Sequence, residues 1–231
     1  IVDIFAALPD GDPATLADVP APADGDEVRW VYFTSGTTSD PKGVRHTDRT
    51  LITGANGLAV ALNMQPDDIG SIAFPFAHIA GPDYFGMMLL AGFGAVLIEA
   101  FTPAGVVAAF NAHGATMAGG STAFYQMYLA EQRKDPSTPL IPSLRKLSGG
   151  GAPMPPEVYE EVKREMGIQI CHGYGMTECP MICMGSPTDT DEQLAYTVGK
   201  PVVGLELRIE KEDGSEGGAG EDGEVRAKGP M

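Results

Sequence analysis

Hydrophobic residues fall along this chain in short runs that alternate with amphipathic stretches. Apolar-rich runs occupy 28–34, 70–74, 95–98, 115–118, 144–147 and 168–171, and such runs between turn residues predict buried strands. Helical signals lie between them. Thr47 is placed to cap a helix reaching about residue 63, with Leu51, Leu58 and Leu62 roughly on one side. Helices are also predicted over 82–91, from the Thr102-Pro103 pair to about 111, over 122–134 and over 155–166. This alternation predicts an α/β fold, a mostly parallel sheet flanked by helices on both faces. Residues 1–27, rich in Pro, Asp and Ala, read as a linker with one short helix at its start. The pattern changes after about residue 187. Two strands within 198–210 and 223–230, joined by an acidic Gly-rich turn, read as the start of a separate β-unit over 188–231.

Composition narrows the class. At 231 residues and 43% hydrophobic there is material for a sizeable core, and 30 Gly with 19 Pro suit a loop-rich α/β enzyme better than a helical bundle. No apolar run reaches the length of about 18 residues that a membrane helix needs. The opening IVDIFAALPDGDP lacks the basic start and cleavage site of a signal peptide. A net charge of −16 opposes nucleic-acid binding and is simplest as a solubility feature. Lys42, Arg45 and Arg49 reverse that sign locally, as a phosphate ligand would require. Three cysteines, Cys171, Cys179 and Cys183, close no disulfide framework; reduced thiols in a cytoplasmic protein are the expectation.

Five segments carry candidate chemistry. The apolar run 28–34 leads into Thr34, Ser35, Gly36, Thr37, Thr38 and Ser39, then Asp40, Pro41, Lys42 and Gly43, before a short return strand. A strand, a hydroxyl-rich loop and one cation offer N–H groups, hydroxyls and an ammonium to an anion, most plausibly phosphate. A Walker A loop does not fit: Pro41 stands at the second glycine and Gly43 at the hydroxyl position. A plain Ser/Thr/Gly linker is the competing account. His78, within Phe74–Gly81, is either a structural histidine or part of a site. Ser148 to Met154 is a glycine turn or a place where a flat ring nears the backbone. His172 to Glu178 combines glycines with Tyr174, Thr177 and Glu178, and reads as a Gly-rich hairpin or a binding motif. The strands of 198–210 and 223–230 read as scaffold. Cys171, His172, Cys179 and Cys183 lack the C-x₂-C spacing of zinc sites, so buried thiols are the better account.

YFTSGTTSDPKGVRHT, followed in order by HGYGMTE, resembles the two core signatures of the adenylate-forming superfamily, which includes acyl- and aryl-CoA synthetases. Ser39 departs from the usual glycine. The resemblance covers about residues 28–230 and implies an acyl-CoA synthetase-like α/β core over 28–187. It implies that Thr34, Ser35, Gly36, Thr37, Thr38 and Lys42 hold the ATP phosphates. Gly150, Gly151, Ala152 and Pro153 would lie along the adenine, with Tyr174 against its ring. His172, Gly173, Gly175 and Met176 would complete the nucleotide site. Thr177 would bind the α-phosphate and Glu178 would hold Mg²⁺. Thr177, Glu178 and Lys42 are thus the candidate catalytic groups.

The resemblance further implies that His78, Ile79, Gly81, Gly175 and Met181 line the acid pocket. Amino-acid-activating members carry an aspartate near residues 77–78. Here Ala77 and His78 stand there, with Asp83 further on, which favours a fatty, aryl or alicyclic acid without an α-amino group. The implied reaction joins the acid to ATP and passes the acyl group to coenzyme A; an acyl-AMP ligase without that transfer and a non-catalytic nucleotide-binding module are the rivals. Against the family pattern the chain is expected to be part of a longer enzyme. The ribose-binding aspartate and the C-terminal domain with its lysine would both lie outside it. Residues 1–231 alone are therefore expected to turn over negligibly; acyl-adenylate formation by them in a pyrophosphate-release assay would overturn this.

Overall fold

The structure is a computed structural model and describes residues 24–34, 40–98 and 101–231. The linker up to residue 23 and the loop residues Ser35, Gly36, Thr37, Thr38 and Ser39 lie outside the described residues. Strand β1 (Val28–Thr34) pairs antiparallel with β2 (Lys42–Thr47), with Thr34 opposite Lys42 and Trp30 opposite His46. These are the strand and return strand expected. Thr47 caps α1 (Asp48–Ala61) in a reciprocal capping box: the Thr47 hydroxyl accepts the Thr50 N–H and the Thr50 hydroxyl accepts the Thr47 N–H. Leu51, Leu58 and Leu62 are all buried, as the helical spacing predicts.

The main sheet grows from strand–helix repeats. Strands β3 (Ile69–Ile72) and β4 (Gly94–Leu97) are parallel and are joined through α2 (Ala80–Ala91). Helix α3 (Pro103–His113) leads to β5 (Met117–Gly120), α4 (Thr122–Gln132) to β6 (Lys146–Gly149), and α5 (Pro156–Met166) to β7 (Gln169–Met176). Strands β5, β6 and β7 are parallel neighbours. Strand β3 runs beside β5: the Thr116 N–H donates to the Ile69 carbonyl (2.7 Å) and the Gly119 N–H to the Ser71 hydroxyl (2.8 Å). Strands β8 (Cys179–Met184) and β9 (Lys200–Pro201) continue the sheet antiparallel. Adjacent residues on a strand face opposite ways. Gly119 lies against Tyr84 of α2 and Gly120 against Phe124 of α4, so those two helices cover opposite faces.

Three features depart from the sequence reading. Strand β7 runs to Met176, not Cys171, because β8 supplies partners for Gly173 and Tyr174 that the sparse apolar pattern there did not announce. Strand β8 and the short helix α6 (Asp191–Tyr196) were not anticipated. Thr102 occupies the N-cap of α3 with Pro103 following, but its side chain makes no capping bond. Strands β10 (Glu206–Glu210) and β11 (Glu224–Lys228) form a separate antiparallel pair across the acidic turn.

Burial positions two carboxylates differently. Asp68 sits at the N-terminal edge of the sheet. Burial alone would raise its carboxyl, but bonds from the Thr116 hydroxyl (2.6 Å), the Gln65 N–H (2.9 Å) and Arg145 outweigh it and hold the group below the ordinary carboxylate range. Beside it buried Lys146 donates to the Leu62 carbonyl (2.5 Å). Asp83, on α2, is 1% exposed and its Oδ1 has no hydrogen-bond partner among the described residues. Burial pushes its carboxyl up to about 8, so it is protonated at neutral pH. Between the ordinary carboxylate value and 8 the folded chain keeps a proton that the unfolded chain releases, so stability falls as pH rises. Asp83→Asn is isosteric with the protonated acid and removes that dependence. Denaturation curves from about pH 5 to 7.5 are expected to show the wild type losing up to about 1.4 kcal/mol per pH unit relative to Asp83→Asn. Parallel pH profiles would refute a neutral Asp83.

Candidate functional site

In doubly wound sheets a crevice opens at the C-terminal strand ends where successive connections run in opposite directions. Here β3 connects outward to β4, whereas β5 connects through β6 to β7, so the crevice lies between β3 and β5. Loops after β3 (Phe74 to Ile79), β5 (Ser121) and β6 (Gly150 to Pro155), and the far half of β7, all reach this edge. Three of the segments singled out in the sequence, 74–81, 148–154 and 172–178, supply this edge.

At Gly149 and Gly150 the chain leaving β6 approaches its neighbours too closely for a side chain. Gly149 has φ 158°, and a Cβ there would fall 1.5 Å from the Gly120 carbonyl oxygen. The next carbonyls are fixed from below. The Thr122 hydroxyl donates to the Pro153 carbonyl (2.9 Å), and His172 Nε2 donates to the Ala152 carbonyl (2.8 Å). His172 is buried, and desolvation lowers its pKa, so the ring is neutral with Nδ1 left as an acceptor for the Tyr125 hydroxyl at 3.4 Å. The imidazole expected at the nucleotide thus turns inward and sets the height of the Ala152 segment. Tyr84, whose hydroxyl lies 2.8 Å from that of Ser148, ties α2 to the same strand end.

Strand β7 then carries Tyr174 and Met176 outward, both with exposed side chains, and ends in a two-residue hairpin turn formed by Thr177 and Glu178. The Gly-rich hairpin is thus formed, and it carries the residues of the candidate binding motif. Gly175 allows it: a Cβ there would meet the Pro180 carbonyl oxygen at 2.2 Å, and the register slips between Tyr174 and Met176. Thr177 is half-buried and Glu178 is exposed at the tip. The Thr177 carbonyl accepts a bond from His46 Nε2 at 2.7 Å, which brings the second motif against the return strand of the first. Lys42 begins that strand and is exposed, as is Arg45. Arg49 is paired with Asp26 (2.5 Å), so the local positive charge is narrower than the sequence reading made it.

The acid-pocket candidates do not all converge. His78 is exposed; its ring stacks on Phe74 (centroids 6.1 Å apart) and its Nδ1 accepts the Ala80 N–H (3.1 Å). Gly81 is buried where α2 passes the Pro75 carbonyl. Met181 is buried on β8, its sulfur against Gly173. Ile79 instead packs with Tyr32 and Leu51 in a small cluster beneath β1. Among the described residues no group of three His, Cys, Asp or Glu side chains is arranged to hold a metal. The Cys171 thiol is buried and pushed up to about 12, which leaves it uncharged and inert. No helix among the described residues is long and apolar enough to cross a membrane. Two site-forming groups escaped the sequence reading, His46 and Tyr125. His46 had a signal: it alternates with Val44 on β2 and so shares its inward face.

Comparison with known proteins supplies the context. The family described as AMP-binding enzyme matches residues 4–231. The chain is 34% identical over 206 residues to the 2-succinylbenzoate–CoA ligase of Bacillus subtilis (strain 168), covering 89% of this chain and 41% of that protein. It is 29% identical over 230 residues to a feruloyl-CoA synthase of Amycolatopsis, covering 96% and 45%. Among solved structures, the O-succinylbenzoate coenzyme A synthetase of Bacillus subtilis in complex with ATP and magnesium ion superposes with a TM-score of 0.77 at 32% identity, covering 90% of this chain and 42% of that one. The chain spans less than half the length of these relatives.

Proposed function

The chain belongs to the AMP-binding enzyme family, and from that premise we propose that the enzyme carrying it activates a carboxylic acid with ATP and transfers the acyl group to coenzyme A. The observation that carries the reading is the meeting of β2, with Lys42 at its start, and the Thr177–Glu178 tip at one bond between His46 and Thr177. The loop between Thr34 and Lys42 takes the β- and γ-phosphates, with the Lys42 ammonium as their counter-charge. The Thr177 hydroxyl donates to the α-phosphate. The exposed Glu178 carboxylate is a hard oxygen donor on an accessible tip, which fits Mg²⁺; bound there with phosphate oxygens, the ion would offset charge between the phosphates. Tyr174 lays its open ring face against the adenine, beside the Gly150–Pro153 segment.

The acid carboxylate attacks the α-phosphorus in line. A new acyl C(O)O–P bond forms, the bond to the bridging oxygen breaks, and pyrophosphate departs with the electron pair. Coenzyme A thiolate then displaces AMP from the acyl carbon to give the thioester. The protein's contribution is positioning and charge neutralisation. The names of the relatives span ring-bearing acids, 2-succinylbenzoate and ferulate, and a medium-chain fatty acid, so the acid panel must cover both classes. The acid pocket in this reading is entered past His78, Gly81, Gly175 and Met181, with Ile79 supporting it from beneath. Within 188–231, β9 still belongs to the main sheet, and the further β-unit opens with β10 and β11.

Pyrophosphate exchange over a panel of aryl, fatty and alicyclic acids, run on the full-length enzyme, tests the reading. Exchange dependent on an acid, with thioester formed on adding coenzyme A, is expected. Exchange without thioester would identify an acyl-AMP ligase; AMP binding without exchange would leave a non-catalytic module. Glu178→Ala is expected to slow exchange by about 100-fold, the order that loss of one metal contact in the transition state implies. An unchanged rate in that variant would remove Glu178 from the mechanism.

A further inference from the structure

We infer that His46 is a positioning residue for adenylation, holding the Thr177–Glu178 tip in register with the strand that carries Lys42. The inference rests on the acid-activating reading above. His46 is 2% exposed, and both ring nitrogens are engaged: Nε2 lies 2.7 Å from the Thr177 carbonyl oxygen and Nδ1 lies 3.1 Å from the Thr50 hydroxyl. A carbonyl can only accept, so Nε2 carries a proton and donates it to Thr177, while Nδ1 meets the Thr50 hydroxyl, which itself donates to the Thr47 carbonyl (2.9 Å). Thr50 in turn closes the capping box of α1, and Tyr32 stands edge-on to the imidazole at 6.3 Å. The ring is therefore held on two sides, by Thr50 and Tyr32, before it reaches the hairpin.

The hairpin needs that external hold. Two-residue hairpin loops are usually formed with positive φ at one or both central residues, which matches the turn to the strand twist. Neither Thr177 nor Glu178 has positive φ, and the strands beside them slip register between Tyr174 and Met176. The tip is therefore not the primed turn that matches the strand twist. A bond from a buried imidazole adds an external hold, from the strand that also bears Lys42, four residues or about 13 Å away along β2. An error of about 1 Å in such a constellation can lower a rate by around 100-fold without a new contact being lost to the substrate.

The test uses two isosteric halves of the imidazole in the full-length enzyme. His46→Gln can place an amide donor at the Nε2 position, facing Thr177. His46→Asn places it at the Nδ1 position, facing Thr50 and leaving Thr177 unheld. His46→Asn is expected to lower kcat for pyrophosphate exchange by roughly 30-fold, with KM for ATP changed less than about threefold. His46→Gln is expected to stay within about fivefold of wild type. Thioester formation from supplied acyl-adenylate is expected to be the same in all three proteins. Equal loss in both variants, wild-type rates in His46→Asn, or a parallel fall in thioester formation would each overturn the inference. Should His46→Asn fail to fold, ¹⁵N NMR of the wild-type imidazole decides: a proton on Nε2 supports it, and one on Nδ1 alone refutes it. Absence of acid-dependent exchange in the wild type would instead sink the broader reading.

Discussion

Strand direction is the constraint from which the site follows. Strands β3, β5, β6 and β7 all run the same way, so the segments that leave them emerge at one edge. A parallel strand must be followed by a crossing connection, and that connection starts with a loop free of ladder bonds. Here those loops are rich in glycine and proline, and their carbonyls are tied down by the Thr122 hydroxyl and the His172 ring rather than by another strand. The edge consequently presents backbone held in place at Ala152 and Pro153.

Two chemically different motifs serve this edge from opposite directions. The antiparallel β1–β2 hairpin is not part of the main sheet, yet its second strand delivers a histidine into the turn between β7 and β8. The same strand holds the lysine. Positive charge is scarce in a chain of net charge −16, and much of it is spent in ion pairs such as Arg49 with Asp26 and Arg133 with Glu165. The exposed Lys42 and Arg45 beside the hairpin stand out against that background.

The sequence made the repeating part of the fold legible because that part is governed by local rules. Strand β1 falls on the residues read as a strand, α1 begins at the threonine read as its cap, and the leucines of its predicted face are buried. The far half of β7 and all of β8 were hidden, since each is a strand only through pairing with the other across residues whose own pattern is polar or glycine-rich. In the site, the residue types of the two signatures were visible, but their orientation was not. His172 turns inward because Ala152 and Tyr125 occupy both its nitrogens, and Ile79 turns to Tyr32 and Leu51 because β1 folds over it. Partnerships of this kind join residues far apart in the chain, and no local period encodes them. The buried Asp83 was likewise unreadable, because nothing adjacent in sequence declares that its helix will be covered.

The base of the sheet behaves differently from its crown. Asp68 gathers a threonine hydroxyl, a main-chain amide and an arginine at the strand beginnings, and Lys146 reaches across to the end of α1 through Leu62. These bonds clamp β3, β5 and β6 where they start, far from where substrates would enter. A scaffold anchored at one margin tolerates exchange of the segments at the other, because altered loop length or composition there does not unzip the ladder below. Variation at the loop edge is thereby uncoupled from folding.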